Sequence, residues 1–445
     1  MKRAAKPVKT GLLILLFTLM LLPLKNFAEP VSPPEETGRP AGTITLRQAV
    51  AAALIHNPEL ESFSWEKRSR EARTLQLGLL PNPELAVEAE DAAGSGGFRG
   101  FDRSQTTLRL GQLIELGGKR AARVRAGSLS QELAHWDYET KRMDVLTRVA
   151  KAFTDVLKAQ NGISLAEELS GLAERTLKAV AERAGSGKVP PIEETKAQVA
   201  LANTHIELER ARRELDTARG TLSATWGETA PRFQSATGLL DLVAEVPPFE
   251  ALARRLANNP DLARWAAELK QRQAVVDMEL AKAVPDIKVQ GGYRRLEESG
   301  DNAVVFGFSV PLQFFDRNQG ATEAARHRLV KAEAEKRAAE IHAARVLAET
   351  YNALRSAYSE AMSLKTKVLP GAQGAFDAVN EGYRFGKFGL LDVLDSQRTL
   401  FEARGKYVQA LANYHKAAAD VERLTGEPLA AIGPEPQNSG GEPRP

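Results

Sequence analysis

The sequence predicts a mostly α-helical fold with a small β part, built from one unit that is used twice. The fragments "HNPEL" and "NNPDL" place Asn57 and Asn259 in the same context 202 residues apart. Further along, "GSGK" and "RFGK" place Gly187 and Gly386 199 residues apart. A period of about two hundred residues is too long for a solenoid repeat. Two similar halves that pack as pseudo-equivalents are therefore expected.

The composition excludes several functional classes. Of the 445 residues, 26% are charged and only 6% are aromatic, a mixture expected of long helices. The absence of cysteine rules out a disulfide framework and a cysteine-based metal site. The six histidines include no pair at H-x-x-x-H spacing, so neither a metal site nor a cofactor is predicted. No complete phosphate-binding glycine loop and no nucleophile–base constellation occurs, so the sequence does not predict an enzyme.

Residues 1–28 have the features of an export signal. A basic start precedes the apolar run "GLLILLFTLMLLPL", and cleavage is expected after Ala28. The alternative is a retained membrane anchor, although the run is shorter than the roughly 20 residues that span a bilayer. Removal of the signal takes away five basic residues, so the formal charge changes from +3 to about −2. No nucleic-acid partner is predicted for the exported chain.

An extended, proline-rich segment at 29–42 is expected to precede the first repeat, at 43–228. The repeat should begin with short helices, since Thr45 is a suitable N-cap and an Asn-Pro pair separates one helix from a second that ends near Leu80. The hydrophobic period then changes to two in "ELAVEA" and "TTLRLGQLI". This change predicts a strand pair at about 83–114.

Long helical hairpins are expected to complete both repeats. A stretch almost free of glycine and proline, a tight break and a returning helix predict the first hairpin at about 119–226 and the second at about 320–425. A linker at 229–248 separates the first repeat from the second, at 249–428. The tail at 429–445 should be disordered because it is rich in glycine, proline and polar residues.

The strands of both repeats separate apolar from charged residues. In the second strand pair, at about 285–314, Phe306 and Phe308 share one face. Charged residues on the opposite faces of the strands are Arg109, Lys288 and Arg294. Strands of roughly 9–11 residues with this alternation are typical of a transmembrane barrel that has an apolar exterior and a charged interior. A half-buried sheet of a soluble protein is the alternative.

Three motifs resemble the TolC-like outer-membrane factors, the outer membrane efflux protein family. They are the strand–helix junction "GQLIELGGKR", its second-repeat partner "VPLQFFDRNQG" and the hairpin tip "GYRFGKFGLLDVLDSQRTL". The form "ELGGKR" is most similar to the CzcC-type branch, which is associated with heavy-metal efflux. The resemblance covers the chain from about residue 43 to residue 426 and implies an outer-membrane location.

The resemblance also implies an architecture and partners. Four strands from each protomer of a homotrimer would form one outer-membrane β-barrel, which continues into a long periplasmic α-helical barrel. The linker at 229–248 would belong to an equatorial girdle around the helices. Implied partners are a periplasmic adaptor protein, an inner-membrane RND-type transporter and outer-membrane lipid.

The implied function is the outer-membrane channel of a tripartite efflux pump, which passively conducts substrate from the periplasm to the exterior. The CzcC-type branch favours heavy-metal cations as the substrate. One alternative is an exit duct for drugs or for type I peptide or protein secretion. Another is a soluble coiled-coil scaffold, for which exported strand pairs would have no use.

Two acids follow the second hairpin tip. Asp392 and Asp395 lie three residues apart on one helical face. By resemblance, three copies of these acids would form carboxylate rings at the periplasmic entrance, where they would attract cations. Tyr383 matches a tyrosine that helps to hold this entrance, the periplasmic gate, closed. Alternatively, both acids favour the start of a helix dipole and are otherwise solvated. The first repeat has Glu193 and Lys196 at the matching positions, so any ring must come mainly from the second repeat.

The tips themselves carry matching Gly-Lys pairs, Gly187-Lys188 and Gly386-Lys387. By resemblance they are docking points for the periplasmic adaptor protein. The alternative is a turn that simply requires glycine. Both interpretations can hold, because a partner would meet an exposed turn at the end of a tube first.

Overall fold

The computed structural model describes residues 40–429. The expected export signal, the extended segment before residue 40 and the tail from residue 430 lie outside the described residues. Within residues 40–429, long helices dominate, and the strands form a four-stranded and a two-stranded sheet. The prediction of a mostly α-helical fold with a small β part is confirmed. None of these helices combines the length and apolar character needed to span a bilayer.

Both halves of the described chain contain short helices, strands and long helices. The helices are α1 (Leu46–His56), α2 (Pro58–Leu77), α3 (Lys119–Gly185), α4 (Pro191–Ala224), α5 (Phe249–Arg255), α6 (Pro260–Lys282), α7 (Gln319–Ser363), α8 (Leu369–Arg384) and α9 (Leu390–Thr425). The strands are β1 (Gly42–Thr45), β2 (Glu84–Glu90), β3 (Gln105–Ile114), β4 (Phe233–Thr237), β5 (Ile287–Leu296) and β6 (Asn302–Ser309).

The Asn-Pro pair of the first repeat joins two helices. The Asn57 side chain accepts a hydrogen bond from the Leu60 N–H at 3.0 Å, and so caps the start of α2. Its amide group donates to the carbonyl of Thr225, just beyond α4, at 2.7 Å. One buried side chain therefore satisfies backbone groups at a helix start and at a helix end.

The second repeat contains the same joint. Asn259 accepts from the Asp261 N–H at 2.7 Å and donates to the Leu424 carbonyl, in the last turn of α9, at 3.0 Å. Its side chain is only 1% exposed. The sequence duplication thus corresponds to a duplicated connection between a short outer helix and the returning helix of each hairpin.

Strands β1 and β4 were not predicted. They pair in parallel, and β4 lies in the expected linker at 229–248. The linker also contacts both hairpins. The Gln160 side chain of α3 makes two hydrogen bonds with the Ala236 backbone, at 2.7 and 3.0 Å. The Tyr414 hydroxyl of α9 makes two hydrogen bonds with the Ala244 backbone, at 3.1 and 2.9 Å. A short strand whose partner lies about 190 residues away leaves little local signal in the sequence.

The four-stranded sheet has the antiparallel order β2-β3-β5-β6. Its central pair, β3 and β5, joins the two repeats over ten residue pairs. Strands β2 and β6 are the edges, so one side of each has no strand partner in this chain. A sheet with two open edges cannot close on itself.

The apolar face of this sheet is exposed in the single chain. One cross-strand row consists of Val87, Leu108, Tyr293 and Val304. The neighbouring strand β6 adds Phe306 and Phe308, whose exposed fractions are 86% and 81%. Large apolar side chains this accessible would be costly in water.

The opposite face carries ion pairs between neighbouring strands. The pairs are Lys288–Glu84 at 2.5 Å, Arg109–Glu88 at 2.8 Å and Arg294–Glu90 at 3.2 Å. Arg294 also donates to the Thr107 hydroxyl at 3.0 Å. Each cation is matched by a carboxylate, so these three pairs leave no net charge on the polar face.

The junction between β3 and α3 depends on two glycines. Gly117 and Gly118 have φ angles of 67° and 70°, a left-handed conformation that favours glycine. A Cβ on Gly117 would lie 2.6 Å from the Val284 Cβ, so the backbone approaches closely there. The following residue, Lys119, pairs with Asp286 at 2.7 Å. The motif "ELGGKR" therefore connects the first helical hairpin to the strand pair of the second repeat.

Helix α3 has 67 residues, about 100 Å at 1.5 Å per residue. Its counterpart is interrupted, because a π-helical turn, Leu364–Val368, separates α7 from α8. The second hairpin was expected at about 320–425, and this turn was not predicted. Pro370 explains the difference: it has no N–H to donate, and its ring clashes with the carbonyl four residues earlier, which a wider turn relieves.

We expect Asn259→Ala to destabilise the protein. Loss of the helix cap and of the donor to the buried Leu424 carbonyl should together lower the free energy of unfolding by about 2–3 kcal/mol. Denaturant unfolding followed by the helical circular dichroism signal measures this change. Asn258→Ala, at the exposed neighbouring position, is the matched control. Equal unfolding midpoints for the two variants would contradict the assigned role of Asn259.

Candidate functional site

The two hairpin tips adopt the same backbone turn. Gly187 and Gly386 have φ angles of 71° and 74°. The N–H groups of Lys188 and Lys387 donate to the carbonyls five residues before them, at 2.9 and 2.8 Å. This hydrogen-bond pattern defines a Schellman motif at a helix end, which requires a left-handed residue and so favours glycine. All four residues are exposed, and a docking role for them stays a prediction.

The second tip differs from the first in its aromatic surface. Phe385 and Phe388 are both exposed, and the Phe388 ring lies over Gly382. A Cβ on Gly382 would come within 2.3 Å of that ring, so a larger residue there would displace the Phe388 side chain. The matching positions of the first tip are Ser186 and Val189, which are smaller. The two repeats therefore present different side chains on the same backbone frame.

Asp392 and Asp395 follow this tip at the start of α9. The Asp392 carboxylate accepts a hydrogen bond from the Gly389 N–H at 2.9 Å, and so closes the first turn of the helix. Asp395 pairs with Arg398 at 2.6 Å. Both acids are exposed in the single chain and lie on one helical side. Asp392 therefore has the helix-start role that was considered as the alternative, while its carboxylate remains accessible.

Arg398 was not among the residues predicted for this site. Its guanidinium lies between Asp395 and Glu402, at 2.6 and 3.8 Å. The i, i+3 and i, i+4 spacings in "DSQRTLFE" contain the signal for these pairs. Any carboxylate ring at this level would therefore be partly neutralised by a cation from the same helix.

Tyr383, in the last turn of α8, lies between the two hairpins of one protomer. It is 6% exposed and packs with Val180 of α3 and with Leu390 and Val393 of α9. Burial raises the pKa of its phenol; the Arg183 guanidinium opposes this shift, and the Glu193 carboxylate adds to it. The hydroxyl has no hydrogen-bond partner among the described residues. Arg183 of α3 donates to the Tyr383 carbonyl at 3.0 Å, and its guanidinium lies 4.5 Å from the centre of the Tyr383 ring.

Metal ligation was not expected from the histidine spacing. Across residues 40–429, no group of three or more His, Asp or Glu side chains is arranged to hold a metal ion.

The open-edged sheet and the two long hairpins define a class of protein. Residues 49–228 and 251–427 match the family model described as outer membrane efflux protein, so the chain belongs to that family. The resemblance of its motifs to this family is thereby confirmed. The protein is an outer-membrane efflux protein that extends into the periplasm.

Individual relatives refine this assignment. The chain is 38% identical over 397 residues to the cobalt-zinc-cadmium resistance protein CzcC of Cupriavidus metallidurans. The aligned region covers 89% of this chain and 92% of CzcC. It is 26% identical over 289 residues to the nickel and cobalt resistance protein CnrC of the same organism. This alignment covers 65% of this chain and 67% of CnrC. A crystal structure of CusC shares the fold, with a TM-score of 0.73 and 17% sequence identity. The superposition covers 90% of this chain and 97% of CusC.

We expect Arg398→Gln to strengthen block of the reconstituted channel by a trivalent cation added on the periplasmic side. An exposed ion pair of this kind contributes about 0.2–1 kcal/mol, so the blocking concentration should fall by roughly 1.5- to 5-fold. Arg398→Lys keeps the charge and should block like the parent protein. Planar-bilayer conductance measures the blocking concentration, and an unchanged value for the glutamine variant would argue against the assigned role.

The combined variant Asp392→Asn and Asp395→Asn should abolish the block and reduce cation preference. Both substitutions keep the shape of the side chain, and trimer stability should remain nearly unchanged because both side chains are exposed. Bilayer recordings in asymmetric salt report the preference. Retention of both block and preference would identify the two acids as ordinary solvated helix-start residues.

Proposed function

We propose that this chain, as a homotrimer, forms the outer-membrane channel of a tripartite efflux pump and passively conducts heavy-metal cations to the exterior. The observation that carries the proposal is the four-stranded sheet with two open edges, joined directly to two long helical hairpins. Lipid offers no hydrogen-bond partner to an open edge. Membrane barrels of this type have at least about eight strands, so further copies must supply the others.

The two faces of the sheet support a barrel wall. The apolar face, with Phe306 and Phe308, is suited to contact lipid, and the ion-paired face is suited to a water-filled lumen. In a soluble sheet the apolar face would need a covering layer. Three copies would contribute twelve strands and place three sets of hairpins around one periplasmic tunnel.

The names of relatives indicate the cargo. CzcC and CnrC are named as resistance proteins for cobalt, zinc and cadmium and for nickel and cobalt. We infer a similar cargo here, delivered by an inner-membrane RND-type transporter through a periplasmic adaptor. The exposed tips at Gly187-Lys188 and Gly386-Lys387 are the surfaces we assign to the adaptor. The carboxylates of Asp392 and Asp395, with Tyr383 behind them, would form the entrance gate.

The domain division is also part of the proposal. We assign residues 43–228 and 249–428 to the two repeats, and residues 229–248 to an equatorial segment. The contacts of this segment with α3 and α9 support its place around the middle of the helices. Each repeat then contributes one strand pair and one hairpin to the tube.

Deletion of the gene should lower resistance to Co²⁺, Zn²⁺ and Cd²⁺, and the full-length gene should restore it. Growth across a panel of metals and of drugs measures the effect. The matched control is a deletion strain that carries the gene with Asn258→Ala, a variant that leaves every proposed contact in place. Unchanged metal resistance together with loss of drug tolerance or of a secreted peptide would favour the alternative duct.

The strand faces give a second prediction. Phe308→Arg places a charge on the proposed lipid face and should cost about 2–4 kcal/mol if the position lies near the middle of the bilayer. Lys288→Gln removes a charge from the lumenal face and should be tolerated, because its partner Glu84 remains hydrated. Folding yield into lipid vesicles compares the two variants. Equal tolerance would indicate a sheet that does not contact lipid.

A further inference from the structure

The acids on the polar face of the four-stranded sheet all lie on the edge strand β2. They are Glu84, Glu88 and Glu90, and no basic residue shares that strand. The register with β3 places uncharged residues directly opposite them, namely Gly111, Thr107 and Gln105. The edge strand therefore carries a column of three carboxylates that the directly paired residues cannot neutralise.

Two basic residues of β5 reach this column although β3 lies between the two strands. Lys288 pairs with Glu84 at 2.5 Å, and Arg294 pairs with Glu90 at 3.2 Å. The lysine passes over Gly111, where a Cβ would lie only 3.2 Å from the lysine Cε. The small residue on β3 thus leaves room for an ion pair that spans three strands.

Arginines complete the pairing on the same face. Arg109 of β3 pairs with Glu88 at 2.8 Å. The Arg294 guanidinium also donates to the Thr107 hydroxyl and to the Gln105 amide oxygen, at 3.0 and 3.1 Å. Each carboxylate of β2 therefore accepts from a cation that its own strand does not supply.

Strand β6 offers no substitute for these basic residues. Its residues on the polar face are uncharged, namely Ala303, Val305, Gly307 and Ser309. In the proposed barrel, β6 of the next copy lies beside β2, so the other neighbour of the carboxylate column is neutral as well. Without Arg109, Lys288 and Arg294, the described strands would leave three carboxylates in each chain without a cation.

Unpaired carboxylates at the exit would interact with the proposed cargo. Carboxylate oxygens are ligands for zinc and related divalent cations, and Glu88 and Glu90 lie roughly 7 Å apart along one strand. A pore conducts only when its cargo is held weakly enough to leave. A basic partner neutralises each carboxylate and occupies its oxygen lone pairs with N–H donors.

We propose that Arg109, Lys288 and Arg294 keep the β-barrel free of bound cargo cations by pairing with the glutamates of β2. This inference rests on the proposed channel function. It gives the two ends of the tube opposite tasks. The exposed carboxylates of Asp392 and Asp395 attract cations at the entrance, whereas the paired carboxylates of the barrel let the cations leave.

Block of the reconstituted full chain by Cd²⁺ added on the extracellular side tests the proposal. The triple variant Arg109→Gln, Lys288→Gln and Arg294→Gln leaves the carboxylates unpaired. Its blocking concentration should be lower than that of the parent protein by on the order of tenfold, since each exposed pair contributes a factor of roughly 1.5 to 5. The further substitutions Glu84→Gln, Glu88→Gln and Glu90→Gln give an uncharged wall and should restore the parent value.

Equilibrium binding separates this proposal from the channel function itself. In dialysis of the detergent-solubilised full chain against radioactive Cd²⁺, the triple variant should bind more Cd²⁺ per chain than the parent protein or the uncharged-wall variant. Binding or block by the triple variant equal to that of the parent protein overturns the role of the three basic residues. Increased binding in a protein that never conducts would support the pairing and overturn the channel function instead.

A single pair gives the same comparison if the triple variant does not fold. Lys288→Gln alone frees Glu84 and should bind more Cd²⁺ than the parent protein. Lys288→Gln combined with Glu84→Gln removes both members of the pair and should bind like the parent protein. Equal binding by the two variants overturns the proposal at this pair.

Discussion

Backbone hydrogen bonding in lipid is the constraint on which the rest of this architecture depends. Strands β2 and β6 each have an open edge, and hydrocarbon cannot satisfy the N–H and C=O groups there. Strands from other copies can satisfy them. The apolar face of the sheet then contacts lipid and the ion-paired face contacts water, as the alternation along each strand requires. The trimer that we propose follows from this requirement rather than from any single side-chain contact.

The duplication supplies the regular frame, and local differences between the repeats supply the specialised parts. Asn57 and Asn259 make equivalent joints, and the two tips share one backbone turn. The repeats differ where we place the gate. Pro370 and its π-turn occur only in the second hairpin of the described chain, and Arg183 has a glycine as its counterpart.

Periodic features were predictable from the sequence, and contacts between distant segments were not. The strand faces, the long helices and the helix boundary at the Asn-Pro pair follow from local signals, namely the hydrophobic period and helix-terminating residues. The pairing of β1 with β4 depends on a partner about 190 residues away. The contact of Arg183 with Tyr383 likewise depends on how two hairpins pack. The i, i+3 spacing of Asp395 and Arg398 is visible in the sequence, so this ion pair was predictable from local spacing.

Single-particle imaging of the detergent-solubilised mature chain tests the central claim most directly, because it reports stoichiometry and strand number together. We predict three copies around one axis, with twelve strands in a closed barrel and the hairpins of all three chains in one continuous tunnel. In each copy, β6 should pair with β2 of its neighbour. A folded monomer whose four-stranded sheet keeps both edges open would contradict the account.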